Sequence, residues 1–386
     1  MTNILFLIDY IWDVHGGTEG QLMMLLKGLD PQKYRPHLFC LRETPWTRTA
    51  TMDFPMRVLR IHKLIEPAIV SKILQFRKYC RENNIDIIQT YFNDALIFGV
   101  IAGRLAGVKI IIASRRNLGP GFWNKRSLLI AFKGLKGLVS RYMANSRATR
   151  DSIAQHEGIP LEKIDVIYNG LDLCRFDGIS NEMRREIRGK LSLNDSQVLI
   201  GMISHLRKEK NISLFVRAAA IISQKYPRAR FVVVGEGGEG RNLEKEISSL
   251  KLENKFILTG AVTDVVPYLA AMDIACLTSN GESFSNSIIE YQAAGLPVVA
   301  TEVGGNIEAL PSGEFLFPVD DLNMFVERMS RLIEDQKLRE IIGRDGKAIA
   351  RQRYSMAGMI DGHDKMYQKC LGGRGSKGAY SAALTL

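Results

Sequence analysis

Two carboxylates, Glu282 and Glu290, flank a short polar turn in the second half of the chain. The turn contains Ser283, Ser285 and Asn286, which are residue types that cap helices, and an apolar helical stretch follows it. Free N–H groups at the start of a helix attract anions, and carboxylates accept hydrogen bonds from sugar hydroxyls. The stretch therefore predicts a site that holds a phosphate and a sugar side by side.

The composition and charge of the chain limit the classes of protein to which it can belong. Its 386 residues favour two domains, and its 46% hydrophobic and 24% charged residues are typical of globular proteins. The net charge of +11 favours anionic partners, but no nucleic-acid-binding motif accompanies it, so we expect no nucleic acid. Five scattered cysteines without a C-x-x-C pair fit a reducing, cytoplasmic environment.

Apolar runs alternate with helical stretches along most of the chain. Residues 4–8 predict a strand, the loop after it contains Gly16 and Gly17, and residues 19–29 predict a helix. The alternation continues to residue 167 and, after a polar and charged stretch, resumes at Val198. This pattern indicates an α/β fold with two Rossmann-like domains, each built on a parallel sheet wrapped by helices.

The domain boundaries follow from the change in composition near residue 170. We predict an N-terminal domain over residues 1–178, joined by a C-terminal helix at residues 355–371. Residues 179–354 are predicted to form the C-terminal domain. Residues 372–386 are rich in Gly, Ser and Ala and predict a disordered tail.

Several motifs occur in the order in which one enzyme family carries them. Glu282 and Glu290 fit E-x7-E, residues 293–299 fit A-x-G-x-P-V-V, and residues 304–308 fit G-G-x-x-E. On these motifs, and on ANS at residues 144–146 and IYNGLDLCRF at 167–176, the chain resembles the retaining glycosyltransferases of family four, or group 1. The resemblance covers nearly the whole chain and implies the GT-B fold, in which two Rossmann-like domains face each other across a cleft. It also implies that the N-terminal domain is the acceptor side and that the C-terminal domain binds the donor.

The resemblance also implies roles for the residues of the donor site. Glu282 and Lys210 are the catalytic residues: Lys210 neutralises the leaving diphosphate, and Glu282 lies near the transferred sugar. Glu290 binds the ribose hydroxyls, the amides of the polar turn bind the diphosphate, and the glycine loop approaches it from across the cleft. The predicted donor-binding residues are therefore Gly16, Gly17, His205, Arg207, Ser283, Phe284, Ser285, Asn286 and Glu290.

Two parts of the sequence depart from the family's pattern. His205 stands where the family usually has an arginine, and a neutral imidazole has neither the fixed charge nor the bidentate fork of that residue. Arg115, Arg116 and Asn117 stand where many members have a histidine. We predict them as acceptor-side residues that bind an acidic sugar or a lipid phosphate, and pairing of the arginines with a structural carboxylate stays open as the alternative.

Residues 235–240 fit G-x-G-x-x-G, the phosphate loop of dinucleotide oxidoreductases. However, they follow a middle strand of the second domain, and no acidic residue ends a later strand at the expected distance. We favour the implication of the family resemblance, in which this loop borders the nucleotide pocket.

A basic helix predicted over residues 123–142 suits an anionic membrane surface, as a lipid-linked acceptor would require. The alternative is a core helix with a basic outer face. No membrane span is predicted, because Arg104 and Lys109 interrupt the most apolar long window. We expect a cytoplasmic protein with peripheral association at the inner membrane face.

No D-x-D pair occurs in the sequence, and no His, Cys and carboxylate cluster has the spacing of metal ligands. We therefore expect neither a metal nor another cofactor, and the nucleotide-sugar acts as a substrate.

The resemblance implies a retaining, hexosyl-transferring enzyme that moves a sugar from a nucleotide-sugar, with UDP favoured, to the hydroxyl of a sugar or lipid-linked sugar. Such a reaction belongs to cell-surface polysaccharide or glycolipid synthesis. Two alternatives stay open: a sugar-nucleotide epimerase or phosphorylase on the same scaffold, and a non-catalytic nucleotide-sugar-binding protein.

Overall fold

The computed structural model describes residues 1–14, 17–117 and 126–372, and in these residues the strands form two parallel sheets. The first sheet has the order β3-β2-β1-β4-β5-β6-β7. Its strands are β1 (Thr2–Ile8), β2 (Tyr34–Cys40), β3 (Met56–Val58), β4 (Ile87–Tyr91), β5 (Ile110–Arg115), β6 (Arg141–Ala144) and β7 (Ile164–Val166).

Helices cover both faces of this sheet, which explains why its central strands are continuous apolar runs. The helices are α1 (Gly17–Gly28), α2 (Pro45–Thr49), α3 (Ile69–Glu82), α4 (Asn93–Ala106), α5 (Arg126–Leu135) and α6 (Arg147–Glu157). Ser146 caps α6 by accepting a hydrogen bond from the Thr149 N–H, and Gly158 ends it in the left-handed region.

The second sheet repeats the arrangement with the order β10-β9-β8-β11-β12-β13. Its strands are β8 (Val198–Ile203), β9 (Ala229–Val234), β10 (Phe256–Leu258), β11 (Ile274–Leu277), β12 (Val298–Thr301) and β13 (Leu316–Phe317). The helices of this half are α7 (Cys174–Asp177), α8 (Asn181–Lys190), α9 (Ile212–Lys225), α10 (Gly240–Ser249), α11 (Val266–Ala271), α12 (Asn286–Ala293), α13 (Asn306–Ala309), α14 (Leu322–Glu334) and α15 (Gln336–Arg353).

Both strand orders are those of a doubly wound Rossmann domain, so the predicted fold class is confirmed. In each sheet the order reverses beside the first strand, between β1 and β4 and between β8 and β11. Ligands bind such sheets beyond the carboxyl ends of the strands at this point of reversal. The loops after β1, β4, β8 and β11 are therefore where a site is expected.

The last helix, α16 (Met356–Gly372), returns to the first domain. The Tyr367 hydroxyl donates a 2.5 Å hydrogen bond to Gln89 on β4, and the Tyr34 hydroxyl donates to Asp364 at 2.8 Å. The residue boundaries of the two domains stay a prediction. Residues 373–386 of the predicted tail lie outside the described residues.

The helix predicted over residues 123–142 ends earlier, at Leu135, and its predicted start lies outside the described residues. The prediction was wrong at its carboxyl end because Arg141 begins strand β6. Pairing of β6 with β5 on one side and β7 on the other outweighs local helical propensity, and Arg141 forms an ion pair with Asp165 on β7.

Arg115, at the end of β5, forms an ion pair inside the first domain. Its side chain is 6% exposed, and its Nη2 lies 2.6 Å from Oε1 of the fully buried Glu157 on α6. Its guanidinium also lies over the Phe132 ring, 4.4 Å from the ring centre. Burial lowers the pKa of Arg115 and raises that of Glu157, and the attraction between the two charges opposes both shifts.

Replacing Glu157 with alanine should lower the free energy of unfolding by about 3–5 kcal/mol, because it leaves the Arg115 charge buried without its carboxylate. Urea denaturation of the full chain measures this as a lower midpoint. Glu162→Ala, which removes an exposed carboxylate just before β7, is the matched control. Equal midpoints for the two variants would contradict the structural role of the Arg115–Glu157 pair.

Candidate functional site

The polar turn after β11 leads directly into α12. Ser285 caps the helix, since its hydroxyl accepts a hydrogen bond from the Ile288 N–H. The backbone N–H groups of Ser283, Phe284, Ser285 and Asn286 donate no hydrogen bond to any residue in the described parts of the chain. The turn therefore offers several donors, together with the positive end of the helix dipole, to an anion.

Two features keep the turn in place. The Phe284 side chain is buried, with its ring 5.3 Å from those of both Tyr168 and Tyr354, so only its backbone is available to a ligand. The Gly305 N–H donates to the Glu282 carbonyl, and a Cβ at Gly305 would lie 2.3 Å from the Ser283 carbonyl oxygen. Close packing against the turn thus requires the second glycine of the G-G-x-x-E motif.

The two residues predicted to be catalytic lie side by side. Nζ of Lys210 lies 2.5 Å from Oε1 of Glu282, and the Ser279 hydroxyl donates to the same oxygen at 2.7 Å. Both side chains keep a surface toward solvent, 27% of Lys210 and 11% of Glu282. The pair places an ammonium group and a carboxylate at the edge of the turn.

Glu290 lies one helical turn into α12 and is partly buried. Its carboxylate makes no hydrogen bond or ion pair with any described residue. Burial raises its pKa to about 7, an effect that Arg175 opposes and Asp264 reinforces. A carboxylate without a partner protein group is available to accept hydrogen bonds from ligand hydroxyls.

His205 and Arg207 follow β8 and are exposed. Desolvation lowers the pKa of His205, and the charges of Arg207 and Lys210 lower it further. A lowered pKa favours the neutral form of the imidazole. The charge of Arg207 lowers the pKa of Tyr10 and of Glu19 in the first domain, against the larger effect of burial.

The first domain contributes a small pocket beyond the carboxyl ends of β1, β4 and β5, lined by Thr18, Phe92, Asn93, Ser114, Arg115, Arg116 and Asn117. Gly17 begins α1 with a φ of +61°, a conformation that favours glycine. Gly16 lies outside the described residues. Asn117 is exposed at the pocket.

Arg115 and Arg116 have different surroundings. The buried ion pair of Arg115 with Glu157 matches the structural alternative and not an acceptor contact. Arg116 instead donates from Nη2 to Oδ1 of Asn169 at 2.5 Å, and Asn169 donates to Oδ1 of Asn286 at 2.6 Å. Burial lowers the pKa of Arg116 to about 10, so it stays charged at neutral pH.

These bonds join the first domain to the turn. The Ser283 hydroxyl donates to the Arg116 carbonyl at 2.9 Å, and the Asn145 amide donates to the Ser283 hydroxyl at 3.2 Å. Neither Asn145 nor Asn169 was predicted as a site residue. Their only signal in the sequence was that each belongs to a segment that resembles the family.

Glu308 is a third residue without a predicted role. Its carboxylate accepts hydrogen bonds from the N–H groups of Arg147 and Ala148, at 2.9 and 2.8 Å, and from the Tyr168 hydroxyl at 2.8 Å. A side chain of the second domain thus caps the start of α6 in the first. Because the contact spans two domains, local sequence carries no signal for it.

Among the residues that the structure describes, no three or more His, Cys, Asp and Glu side chains form a group that could hold a metal ion. Within the same residues, no helix has the length and apolar character needed to cross a membrane.

Two family models match this chain in succession. The model of glycosyltransferase family 4 matches residues 15–175, and that of glycosyl transferases group 1 matches residues 183–349. Together the two matches cover most of both domains, and the second match includes the polar turn, Lys210 and Glu290.

Characterised relatives and solved structures are similar over most of the chain. UDP-Gal:alpha-D-GlcNAc-diphosphoundecaprenol alpha-1,3-galactosyltransferase of Escherichia coli is 25% identical over 82% of this chain and 88% of its own. An N-acetylgalactosaminyltransferase of Campylobacter jejuni, named for a diphospho-undecaprenol substrate, is 26% identical over 72% of this chain and 75% of its own. The crystal structure of Anabaena HepE in complex with UDP superposes with a TM-score of 0.84, covering 96% of this chain and 100% of that one at 24% identity. The chain belongs to the group 1 glycosyltransferases and has their GT-B fold.

Proposed function

We propose that this glycosyltransferase moves a sugar from a UDP-sugar to a hydroxyl group of a sugar or lipid-linked sugar acceptor, with retention at the anomeric carbon. The observation that carries the proposal is the set of unpaired N–H groups at the start of α12, with Lys210–Glu282 on one side and the unpaired Glu290 on the other. This arrangement suits a diphosphate between two hydroxyl-bearing rings.

The nucleotide and the acceptor class draw support from relatives. UDP occurs in the name of the Escherichia coli relative and in the solved structure of Anabaena HepE. Two relatives are named for acceptors or substrates that are diphospho-undecaprenols, lipids used to build glycans. We therefore favour a role in cell-surface polysaccharide or glycolipid synthesis.

The proposed reaction proceeds on one face of the donor sugar. The bond between the anomeric carbon and the UDP β-phosphate oxygen breaks, and negative charge grows on that phosphate. The amides of the turn and the Lys210 ammonium stabilise this charge. The acceptor hydroxyl attacks the anomeric carbon from the face that UDP leaves, and its proton passes to the leaving phosphate. Glu282 stabilises the positive charge that develops on the sugar.

Lys210, Arg207 and the backbone amides supply the positive charge of this site, so we propose that the transfer needs no divalent cation. Gly17, at the start of α1, approaches the diphosphate from the first domain. Closure of the two domains over the donor excludes water from the reacting carbon.

The surface near the ends of α4 and α5 suits an anionic membrane. Its exposed apolar side chains are Ile101 and Leu105 on α4, Ile130 on α5 and Leu138 after it. The Arg104 guanidinium holds these segments together by donating to the Leu138 carbonyl at 2.8 Å, and Lys133 and Lys136 are exposed beside them. We propose that this apolar-basic patch associates a cytoplasmic protein peripherally with the inner membrane face.

The variant Leu105→Glu/Ile130→Glu should lose binding to phosphatidylglycerol vesicles, because it places carboxylates on the apolar part of the patch. Flotation of the full chain with such vesicles measures this. Ile341→Glu, which alters an exposed apolar residue of the second domain, should float like the wild type. Absence of the wild type from the vesicle fraction would remove the membrane proposal without affecting the reaction.

Lys210→Ala should lower kcat by about 100- to 1000-fold, since it removes a cation that stabilises charge in the transition state. Transfer and hydrolysis are measured with a panel of UDP-, GDP- and ADP-sugars. Lys225→Ala, which breaks an exposed ion pair with Glu334 in the same domain, is the control.

The same panel separates the alternatives to this function. Product of altered stereochemistry without transfer would indicate an epimerase, and a sugar phosphate formed with inorganic phosphate would indicate a phosphorylase. Donor binding without any turnover would indicate a binding protein. An unchanged rate in Lys210→Ala would reject the assigned catalytic role.

UDP should bind more tightly as the pH rises through 7, because the Glu290 carboxyl, with a pKa of about 7, must ionise to accept two ribose hydroxyls. About a tenth of these carboxyls is ionised at pH 6 and about nine tenths at pH 8, so Kd from calorimetry should fall about tenfold. In Glu290→Gln the side chain no longer titrates, so the change of Kd with pH should be smaller and should reflect only the ionisation of UDP itself. Equal pH dependence in both proteins would exclude Glu290 from the ribose site.

Without ligand, Glu290 should make the fold less stable with rising pH. Its folded pKa of about 7 exceeds the ordinary value of 4.5, so the folded state holds the proton more tightly than the unfolded chain. The resulting stability is present below about pH 4.5 and is lost as the pH rises through about 7. Glu290→Gln should flatten this part of the unfolding profile.

A further inference from the structure

Three aromatic side chains lie together at the carboxyl edge of the first sheet. Tyr10 and Trp12 follow β1, and Phe92 follows β4, the strand that pairs with β1 up to Ile8 and Tyr91. The Tyr10 and Phe92 rings stack with centroids 5.5 Å apart and an interplanar angle of 26°. Trp12 meets the Tyr10 ring edge-on at 6.4 Å. We call Tyr10, Trp12 and Phe92 the aromatic ledge.

The ledge exposes apolar surface that the fold does not need. Trp12 is 62% exposed and belongs to none of the hydrophobic clusters of the described residues. An indole is among the largest apolar surfaces a side chain can present, so leaving it in water forgoes the free energy of burial. Large exposed aromatic side chains at a cleft commonly mark binding positions.

The backbone at Phe92 is strained. Its φ of +68° and ψ of −177° lie in a region that residues other than glycine rarely adopt. This conformation occurs between the last residue of β4 and the first turn of α4, where Phe92 lines the pocket of the first domain. This backbone conformation accompanies the stacking of the Phe92 ring on Tyr10 at the edge of that pocket.

Polar groups without protein partners surround the ledge. The Tyr10 hydroxyl and the side chains of Asn93 and Asn117 make no hydrogen bond to any described residue, and both asparagines line the pocket. Flat apolar rings next to free amide and hydroxyl groups match a pyranose, which has an apolar C–H face and a rim of hydroxyls. A simple hydrocarbon would leave these polar groups unsatisfied.

The position of the ledge relates it to the donor site. Tyr10 and Phe92 follow β1 and β4, so the ledge lies beyond the carboxyl ends of these strands, where doubly wound sheets bind ligands. A sugar resting on the ledge is on the acceptor side of the proposed donor position.

We propose that the aromatic ledge binds a pyranose ring of the acceptor, with the apolar face of the sugar against Trp12 and Tyr10 and its hydroxyls toward Asn93 and Asn117. This rests on the proposed function, and it defines the acceptor as a glycan or sugar-bearing lipid recognised through its sugar. A tryptophan at a cleft also suits a membrane interface, but the acidic Asp13 and Glu19 nearby disfavour an anionic lipid surface.

The test is sugar binding by saturation-transfer NMR and titration, with and without UDP. The probes are methyl glycosides of glucose, galactose, mannose, N-acetylglucosamine and N-acetylgalactosamine. In Trp12→Ala and Tyr10→Ala, Kd for the glycoside that the wild type binds should rise by on the order of tenfold, as for loss of an aromatic anchor. Tyr10→Phe keeps the aromatic ring, so its Kd for the glycoside should rise less than that of Tyr10→Ala. Kd for UDP should stay unchanged in all three.

Leu161→Ala is the matched control, since Leu161 is an exposed apolar residue just before β7. It therefore lies at the amino ends of the parallel strands, whereas the aromatic ledge lies at their carboxyl ends. Circular dichroism confirms that each variant folds. Equal glycoside binding by wild type and Trp12→Ala overturns the proposal, as does a wild type that binds UDP but none of the glycosides. Loss of binding to phosphatidylglycerol vesicles in Trp12→Ala, with glycoside binding unchanged, would assign the ledge to the membrane instead.

The two proposals fail separately. If the wild type binds glycosides through Trp12 but binds neither UDP nor any UDP-sugar, the proposed donor is contradicted. The sugar-binding role of the aromatic ledge is then still supported. Conversely, donor turnover could depend on Lys210 while Trp12→Ala binds the glycosides as the wild type does. That result supports the donor site and rejects the aromatic ledge as a sugar site.

Discussion

Backbone N–H groups at the start of α12 have no hydrogen-bond partner in the described chain. An N–H group that is shielded from water raises the free energy of the folded protein unless an acceptor binds it. Much of the second domain keeps these groups together. Phe284 anchors the turn in the core, Gly305 allows a close approach from the other side, and Ser285 supplies the helix cap. A bound diphosphate would satisfy the donors and the helix dipole at once.

The charges around the turn divide into those that are already paired and those that are available. Glu282 holds Lys210 in the absence of ligand, so the ammonium is positioned before a phosphate reaches it. Glu290 has no partner, and burial holds its pKa near 7. The charged groups of the site are therefore preorganised: they are in place before a reaction begins, so the free energy of orienting them is not added to the barrier.

Contacts between the domains converge on the same turn. Arg116, Asn169 and Asn286 form a chain of hydrogen bonds, and Glu308 of the second domain caps α6 of the first. The pocket of the first domain and the polar turn are therefore coupled, because a shift of one domain must break hydrogen bonds that end at the turn. In the first domain, the charged Arg116, the amides of Asn93 and Asn117 and the aromatic ledge lie around this pocket, a mixture that suits the proposed sugar acceptor more than a plain lipid.

The fold class and the polar turn before α12 could both be predicted from the sequence alone. Both are local properties: alternating apolar runs predict parallel strands and helices, and the order of residues 282–290 places a polar turn before a helix. The partners of individual side chains, in contrast, became known from the three-dimensional structure. Arg115 faces inward to Glu157 while its neighbour Arg116 reaches Asn169, and Tyr10 stacks on Phe92. These outcomes depend on which strands become neighbours, for example β1 beside β4, and local periodicity carries no information about that order.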